Sequence, residues 1–283
     1  MAIANFIPTV WSSKILTAFR EKAIFAGLAN REYEGEVKAG NTVKITGVVD
    51  VQIKDYKAGA LPNGSGGTLP RTTAPDDITD TTIELRIDQE KNFDFYVDDI
   101  DAAQAFTRLL TPYTDSAAAG LVEDSDRWLA ALLYLQGTAT TVSAPAIDGK
   151  TAWNVIRDLR KQLNKAKVPQ GDRVFVANAE FTALLEENDS KLMQANTSGT
   201  TRGLQEAQLP RILGFDGFGS ENLPTVSKPS IVAYHKSALA YVSQIDKTEP
   251  MRAQNKFADR LRGLHVYGGK VVRPTAVAHW TAA

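Results

Sequence analysis

Apolar residues recur along this chain with two periods, about 3.6 and 2, and the changes from one to the other divide it into elements. Ile15, Phe19, Ala23 and Ala26 keep helical spacing, with Ser13 placed as a cap and Gly27 and Asn30 near the end, so residues 12–28 are expected to form a helix. From 42 to 54 the pattern alternates. Val43, Ile45, Val49, Val51 and Ile53 share one face, broken only at Gly47, and Lys44, Asp50, Gln52 and Lys54 share the other, the mark of a half-buried strand. A second alternating run sets Ile83, Leu85 and Ile87 against Glu84, Arg86 and Asp88, and Phe93, Phe95 and Val97 extend it. Between the two runs, KAGALPNGSGGTLPRTTAPDD has prolines, glycines and no period, which predicts a long loop of the kind usually kept for function.

Residues 98–136 read as a long helical segment. Asp98 or Asp99 caps it, Thr111-Pro112 interrupts or kinks it, Leu121, Trp128, Leu132 and Leu135 form its stripe, and Gly137 ends it. A small-residue linker, TATTVSAPAIDG, suggests a boundary between two lobes. A helix from Thr151 to about Ala166 follows, with Ala152, Ile156, Leu159 and Leu163 in register and a basic side of Arg157, Arg160, Lys161 and Lys165, read as solvated. RVFVA (173–177) predicts a buried strand, and Asn178 a cap for a short helix through Glu187; residues 188–209 are polar and loop-like. Short strands dominate after Arg211: RILGF, SIVAYH, LAYVS and LHVYGGKVV, with Gly268-Gly269 expected as a hairpin turn.

Composition narrows the function. The 283 residues suffice for one large core or two smaller ones, and 43% hydrophobic with 23% charged residues is globular usage. With 32 basic and 33 acidic residues, net charge −1, phosphate neutralisation is not the chain's main work. There are no cysteines, so disulfides and thiolate chemistry are excluded. The first residues lack the apolar run of a signal peptide, and no apolar stretch is long enough for a bilayer, so a cytoplasmically made protein without a membrane partner is expected.

Candidate chemistry is thin. Asp148-Gly149-Lys150-Thr151 opens a helix, but a phosphate loop needs a glycine where Ala144 stands, and Pro145 removes an amide donor; a turn capped by Thr151 is the simpler reading. Asn63-Gly64-Ser65-Gly66-Gly67 has Leu69 where a dinucleotide fingerprint needs its third glycine. His235, His265 and His279 have no metal-ligand spacing, Ser220 lacks the trailing glycine of a nucleophile elbow, and Asp98, Asp99 and Asp101 are better read as helix-capping residues than as a cation site. No catalytic residue, cofactor site or metal site is expected, and the chain is not expected to be an enzyme.

Taken in order, these elements resemble the tailed-phage major capsid fold named after phage Hong Kong 97, an α+β fold with an N-terminal arm, an extended β-hairpin loop, a long spine helix, and mixed peripheral and axial domains. The phrases GLQEAQLPRILGFDGFGSENLP, IVAYHKSALAYV and LRGLHVYGGKVVRPTAVAHW look like that family's, nearest to coat proteins of short-tailed phages and of actinobacterial phages. The resemblance implies an arm at 1–41, the hairpin loop at 42–97, the spine helix at 98–137, the axial domain with part of the peripheral domain at 138–260, and terminal strands at 261–283. It puts the Gly214 and Pro224 region between the halves of the distal domain and makes Val271-Val272-Arg273-Pro274 the closing strand. It also implies a subunit that self-assembles as hexamers and pentamers into an icosahedral head around double-stranded DNA touched non-specifically. A separate scaffolding protein and a portal would be partners, assembly would take place in the host cytoplasm, and the final location would be the virion capsid. Lys54 and Lys57 lie near the loop, but without a partner residue crosslinking is not expected. The competing expectations are an encapsulin-like bacterial compartment shell, a nucleotide-binding enzyme using Gly149-Lys150-Thr151, and a monomeric binding module. A hairpin at 42–97 with no third strand near in sequence is expected to pack distally on a neighbouring subunit.

Overall fold

The computed structural model describes residues 23–36, 41–47, 53, 59–60, 68–69, 81–98, 110–140, 148–187, 211–224 and 227–282. Within these, the first helix is a single turn, α1 (Phe25–Leu28); the remainder of the expected 12–28 helix lies outside the described residues, apart from Ala23 and Ile24. Strands β1 (Thr42–Gly47) and β4 (Thr81–Arg86) pair antiparallel with Val43 opposite Leu85 and Ile45 opposite Ile83. Between them, β2 (Gly59–Ala60) and β3 (Thr68–Leu69) pair in the same nested sense, as in one extended hairpin. Val43, Ile45, Leu85 and Ile87 are buried and Lys44 and Arg86 exposed, as the alternation requires.

The second run does not continue as expected. β5 (Gln89–Asp98) leaves the ribbon after Ile87 and joins β10 (Leu239–Arg252) and β11 (Ala258–Val271) in the order β10-β11-β5, with Phe95 opposite Leu261 and Phe93 opposite Gly263. An alternating sequence records which side chains share a face but not which strand completes the ladder. The Gly268-Gly269 pair is not a turn. Both residues lie inside β11, and the chain reverses between Arg252 and Ala258, where Ala253 N–H donates to Ala258 O at 2.9 Å. A Cβ on Gly268 would strike Arg86 O and lie 2.7 Å from Ile87 Cα, so this glycine lets β11 pass beneath the corner between β4 and β5. The domain boundary expected between 260 and 261 therefore falls inside a strand.

α2 (Leu110–Gln136) has 27 residues, roughly 40 Å at 1.5 Å per residue. Pro112 lies within the described helix. Asp98 belongs to β5, opposite Ala258, while Asp99 and Asp101 lie outside the described residues. The buried stripe is Ser125, Asp126, Leu129, Ala130 and Leu133; Trp128 and Leu132 flank it half-buried, Leu121 is half-buried, and Leu135 is 81% exposed. Gly137 follows the last helical residue because a Cβ there would meet Leu133 O and approach Val277 Cγ1 to 2.7 Å.

The distal lobe is a five-stranded mixed sheet in the order β6-β12-β9-β7-β8. Its strands are β6 (Thr138–Ala139), β7 (Arg173–Ala177), β8 (Asp216–Gly219), β9 (Ser230–His235) and β12 (Val277–Thr281). Helices α3 (Gly149–Lys165) and α4 (Ala179–Leu185) cover one face and α2 with α1 the other. All five residues of β7 are buried because the sheet is covered on both sides. Phe175 and Ala177 join Ile156, Leu159 and Leu163 of α3, while Val174 and Val176 join Leu129, Leu133 and Phe25. Asn178 caps α4, its side chain accepting from Phe181 N–H at 3.0 Å. RILGF is a turn, not a strand. Leu213 and Gly214 have φ of 49° and 85°, and Ile212 and Phe215 exchange both backbone bonds across them. The closing strand is β12; Arg273 instead precedes a one-turn 3-10 segment, Pro274–Ala276.

Candidate assembly surfaces

The residues singled out for chemistry are occupied by structural bonds. Asp148 and Thr151 bond reciprocally at the start of α3: Thr151 N–H donates to Asp148 Oδ1 at 2.8 Å, and Asp148 N–H donates to Thr151 Oγ1 at 2.8 Å. Asp148, not Thr151, is the cap. Gly149 N–H donates to Glu187 Oε2 at 2.5 Å, and a Cβ on Gly149 would sit 2.8 Å from Glu187 Cβ. A carboxylate thus stands at the amides a nucleotide phosphate would need. Ser220 Oγ accepts from Asn222 N–H at 3.2 Å, inside a buried turn.

The three histidines are dispersed. His235 Nδ1 accepts from Ser237 N–H at 3.2 Å, His265 meets the Tyr241 hydroxyl at 3.3 Å, and the His279 ring lies 4.8 Å from Tyr134. Burial pushes the pKa of His235 and His279 below the ordinary histidine value. Among the described residues no group of three or more His, Cys, Asp or Glu side chains is placed to hold a metal ion, and no helix is long and apolar enough to cross a membrane. Lys54, Lys57 and Asn63-Gly64-Ser65-Gly66-Gly67 lie outside the described residues. On α3, Arg157, Lys161 and Lys165 are exposed and Arg160 half-buried, as a solvated face requires.

What the geometry does present is surface of the kind that meets other chains. The ribbon root is covered by its own chain: Val43, Ile45, Leu85 and Ile87 pack with Ala240, Val242 and Val266 of the three-stranded sheet, which supplies the cover missing from the local sequence. Beyond the root, Ile53 is 100% exposed. In the β10-β11-β5 sheet, Phe93, Phe95 and Leu261 share the face toward α2, with Tyr113 6.2 Å from Phe95. The other face carries Arg260 paired with Asp94, Arg262 with Glu249 at 2.8 Å, and the exposed Tyr96, Met251 and Leu264. Arg260 holds the Asp94 carboxyl, and Arg262 the Glu249 carboxyl, below the ordinary range. Lys256 lies 4.1 Å from the Tyr96 ring, and the neighbouring Phe257 is 82% exposed at the hairpin tip.

One edge of that sheet is closed by the segment after α1. Asn30 N–H donates to Leu239 O at 2.8 Å, Tyr241 N–H to Asn30 O at 3.0 Å, and Ser243 N–H to Glu34 Oε1 at 3.3 Å. β5 ends the three-stranded sheet, and β1 pairs with β4 in a sheet of two. Sequence reasoning also missed Asp126, fully buried in α2, where it accepts main-chain bonds from Ile24, Phe25 and Ala26. A lone acidic residue inside a helix gives no local signal of such a role.

No protein-family model matches the chain, and no curated protein matches its sequence. Solved structures do. A chain from Mycobacterium phage Che8 is 45% identical, with TM-score 0.88, over 99% of this chain and 98% of that one. The capsid of cyanophage P-SCSP1u superposes with TM-score 0.79 at 16% identity over 100% of this chain and 95% of that one. The mature capsid of bacteriophage PhiM1 gives 0.73 at 15% identity over 97% and 91%. The last two show the fold alone, and that fold is the α+β fold of a shell subunit. With the near-complete 45% match, the chain belongs to the tailed-bacteriophage major capsid proteins, as a structural subunit of the icosahedral head. A virus-like particle from Pyrococcus furiosus is less similar, at TM-score 0.53 and 11% identity over 85% of this chain and 86% of that one, so a compartment shell is not the better reading.

Proposed function

We propose that this subunit forms hexamers and pentamers that close, with a separate scaffolding protein and a portal, into a head enclosing double-stranded DNA, with assembly in the host cytoplasm. Its work is structural and not enzymatic, and the DNA is held by non-specific contact. Residues 1–41 serve as the arm, the ribbon of β1–β4 as the extended loop, α2 as the spine, the β10-β11-β5 sheet as the body of the peripheral domain, and the five-stranded sheet with α3 and α4 as the axial domain. The observation that carries this reading is the ribbon: an apolar alternation that continues to Ile53 beyond a root already covered by its own chain. The simplest cover for the distal part is a neighbouring copy.

Electron microscopy of the protein expressed alone and with its scaffolding partner tests the proposal. Closed shells of uniform diameter, empty or DNA-filled, are expected; shells loaded with a cargo enzyme would favour a compartment, and a monomer under every condition would end the shell reading. Calorimetry with ATP and magnesium is expected to give no binding heat.

A further inference from the structure

We infer that Asp126 is the socket that fixes the root of the N-terminal arm to the subunit and ties it to the distal lobe, a role that rests on reading the chain as a shell subunit. The carboxylate is 0% exposed in the middle of α2. Its Oδ1 accepts from three successive main-chain amides, Ile24 at 3.0 Å, Phe25 at 2.6 Å and Ala26 at 3.2 Å. Its Oδ2 accepts from Asn222 Nδ2 at 3.1 Å, in the turn after β8. These four partners are neutral N–H groups. A buried carboxylate without a cation is costly unless its lone pairs are filled, so the arrangement persists only while both the arm and the 220–223 turn stay docked.

Packing holds the arm root as well: Ile24, Ala26, Leu28 and Ala29 lie half-buried against the core that takes Phe25. α1 is four residues long, far short of what is stable alone in water, and its anchoring side chain is Phe25, buried against Tyr234 with ring centroids 6.5 Å apart. A few residues on, the Asn30 bridge and the Glu34 bond fasten the same segment to β10. Residues 24–34 are therefore a fixed part of the subunit.

The two oxygens have different partners, which allows a sharp test. In Asp126→Asn the side chain keeps one acceptor. If that oxygen faces the arm amides, the new amide meets Asn222 Nδ2 donor to donor, and Asn222 must turn its own amide over to accept; if the substituted residue flips instead, three arm amides lose their acceptor. Asn222→Asp alone sets two buried carboxylates against each other. In the double variant Asp126→Asn/Asn222→Asp, the asparagine oxygen takes the arm amides and its NH2 donates to the new carboxylate, so the three arm bonds keep their main-chain donors and only the 126–222 bond is remade with the donor reversed. Hydrogen exchange on the unassembled full chain should show protection at Ile24–Ala26 lowered by roughly tenfold or more in either single variant. The double variant should restore it, and shell yield on co-expression with the scaffolding protein should fall and recover in parallel. Unchanged Ile24–Ala26 exchange in the single variants, or a double variant no better than either, overturns the socket. If exchange behaves as stated while the wild-type chain forms no shells, the socket stands and the shell reading fails.

Discussion

At Gly268 a backbone crossing leaves no room for a single carbon, because the corner of β4 and β5 lies directly over β11. Gly268→Ala must push two main chains apart. It is expected to cost about 1–3 kcal/mol, read as a lower denaturant midpoint, whereas Gly171→Ala, with nothing within 4 Å, should cost far less. Titration gives a second residue-scale expectation. His235 and His279 have folded pKa values below the ordinary histidine value because burial disfavours their charged forms. The unfolded chain then binds more protons than the folded one as pH falls below that value, so stability is full above it and declines below it. Melting temperature should drop between pH 7 and 5, with the drop smaller in His279→Phe. The paired glycines illustrate the limit of local reading. A glycine wanted for a turn and one wanted for a close crossing look the same in sequence, and what distinguished Gly268 lies about 180 residues earlier in the chain, at Arg86 and Ile87.

Among the elements, α3 and β7 were legible because their periods match their surroundings: one apolar face against a sheet for the helix, two covered faces for the strand. α2 was legible as a helix but not as a face. Its buried stripe begins with Ser125 and Asp126, polar residues made tolerable by bonds to Val122 O, the arm and Asn222, so an apolar count shifts the stripe by about a residue. The revised stripe predicts that Leu129→Ala and Leu133→Ala each cost about 2–5 kcal/mol in urea titration, while Leu135→Ala stays within roughly 0.5 kcal/mol. Equal effects at 133 and 135 would overturn this assignment. The ribbon divides similarly. Alternation gave its strands and their inward faces, but not the transfer of β5 to another sheet, since its partner is some 166 residues distant.

For the whole molecule, the separation of a self-covered ribbon root from Ile53, exposed beyond it, predicts that folding and assembly can be uncoupled. Deleting residues 63–73 should leave a subunit that melts as the full chain does but yields few shells. Hydrogen exchange over 55–80 should slow on assembly in the intact protein; equal protection in free and assembled forms would remove the inter-subunit clasp. The chemistry candidates dissolved for a reason at this same scale. Glu187 meets Gly149 from 38 residues further along the chain, and that contact turns an apparent motif into a joint.

The placement of β12 bears on how the protein is made. The last strand of the chain lies inside its sheet, between β6 and β9, and β11, only slightly earlier, lies between β5 and β10. The three-stranded sheet cannot close until residues 258–271 have been translated, nor the five-stranded sheet until residues 277–281 have. A chain that stops short of β12 therefore lacks an interior strand of its distal sheet and cannot present the finished surface of a subunit to a growing shell.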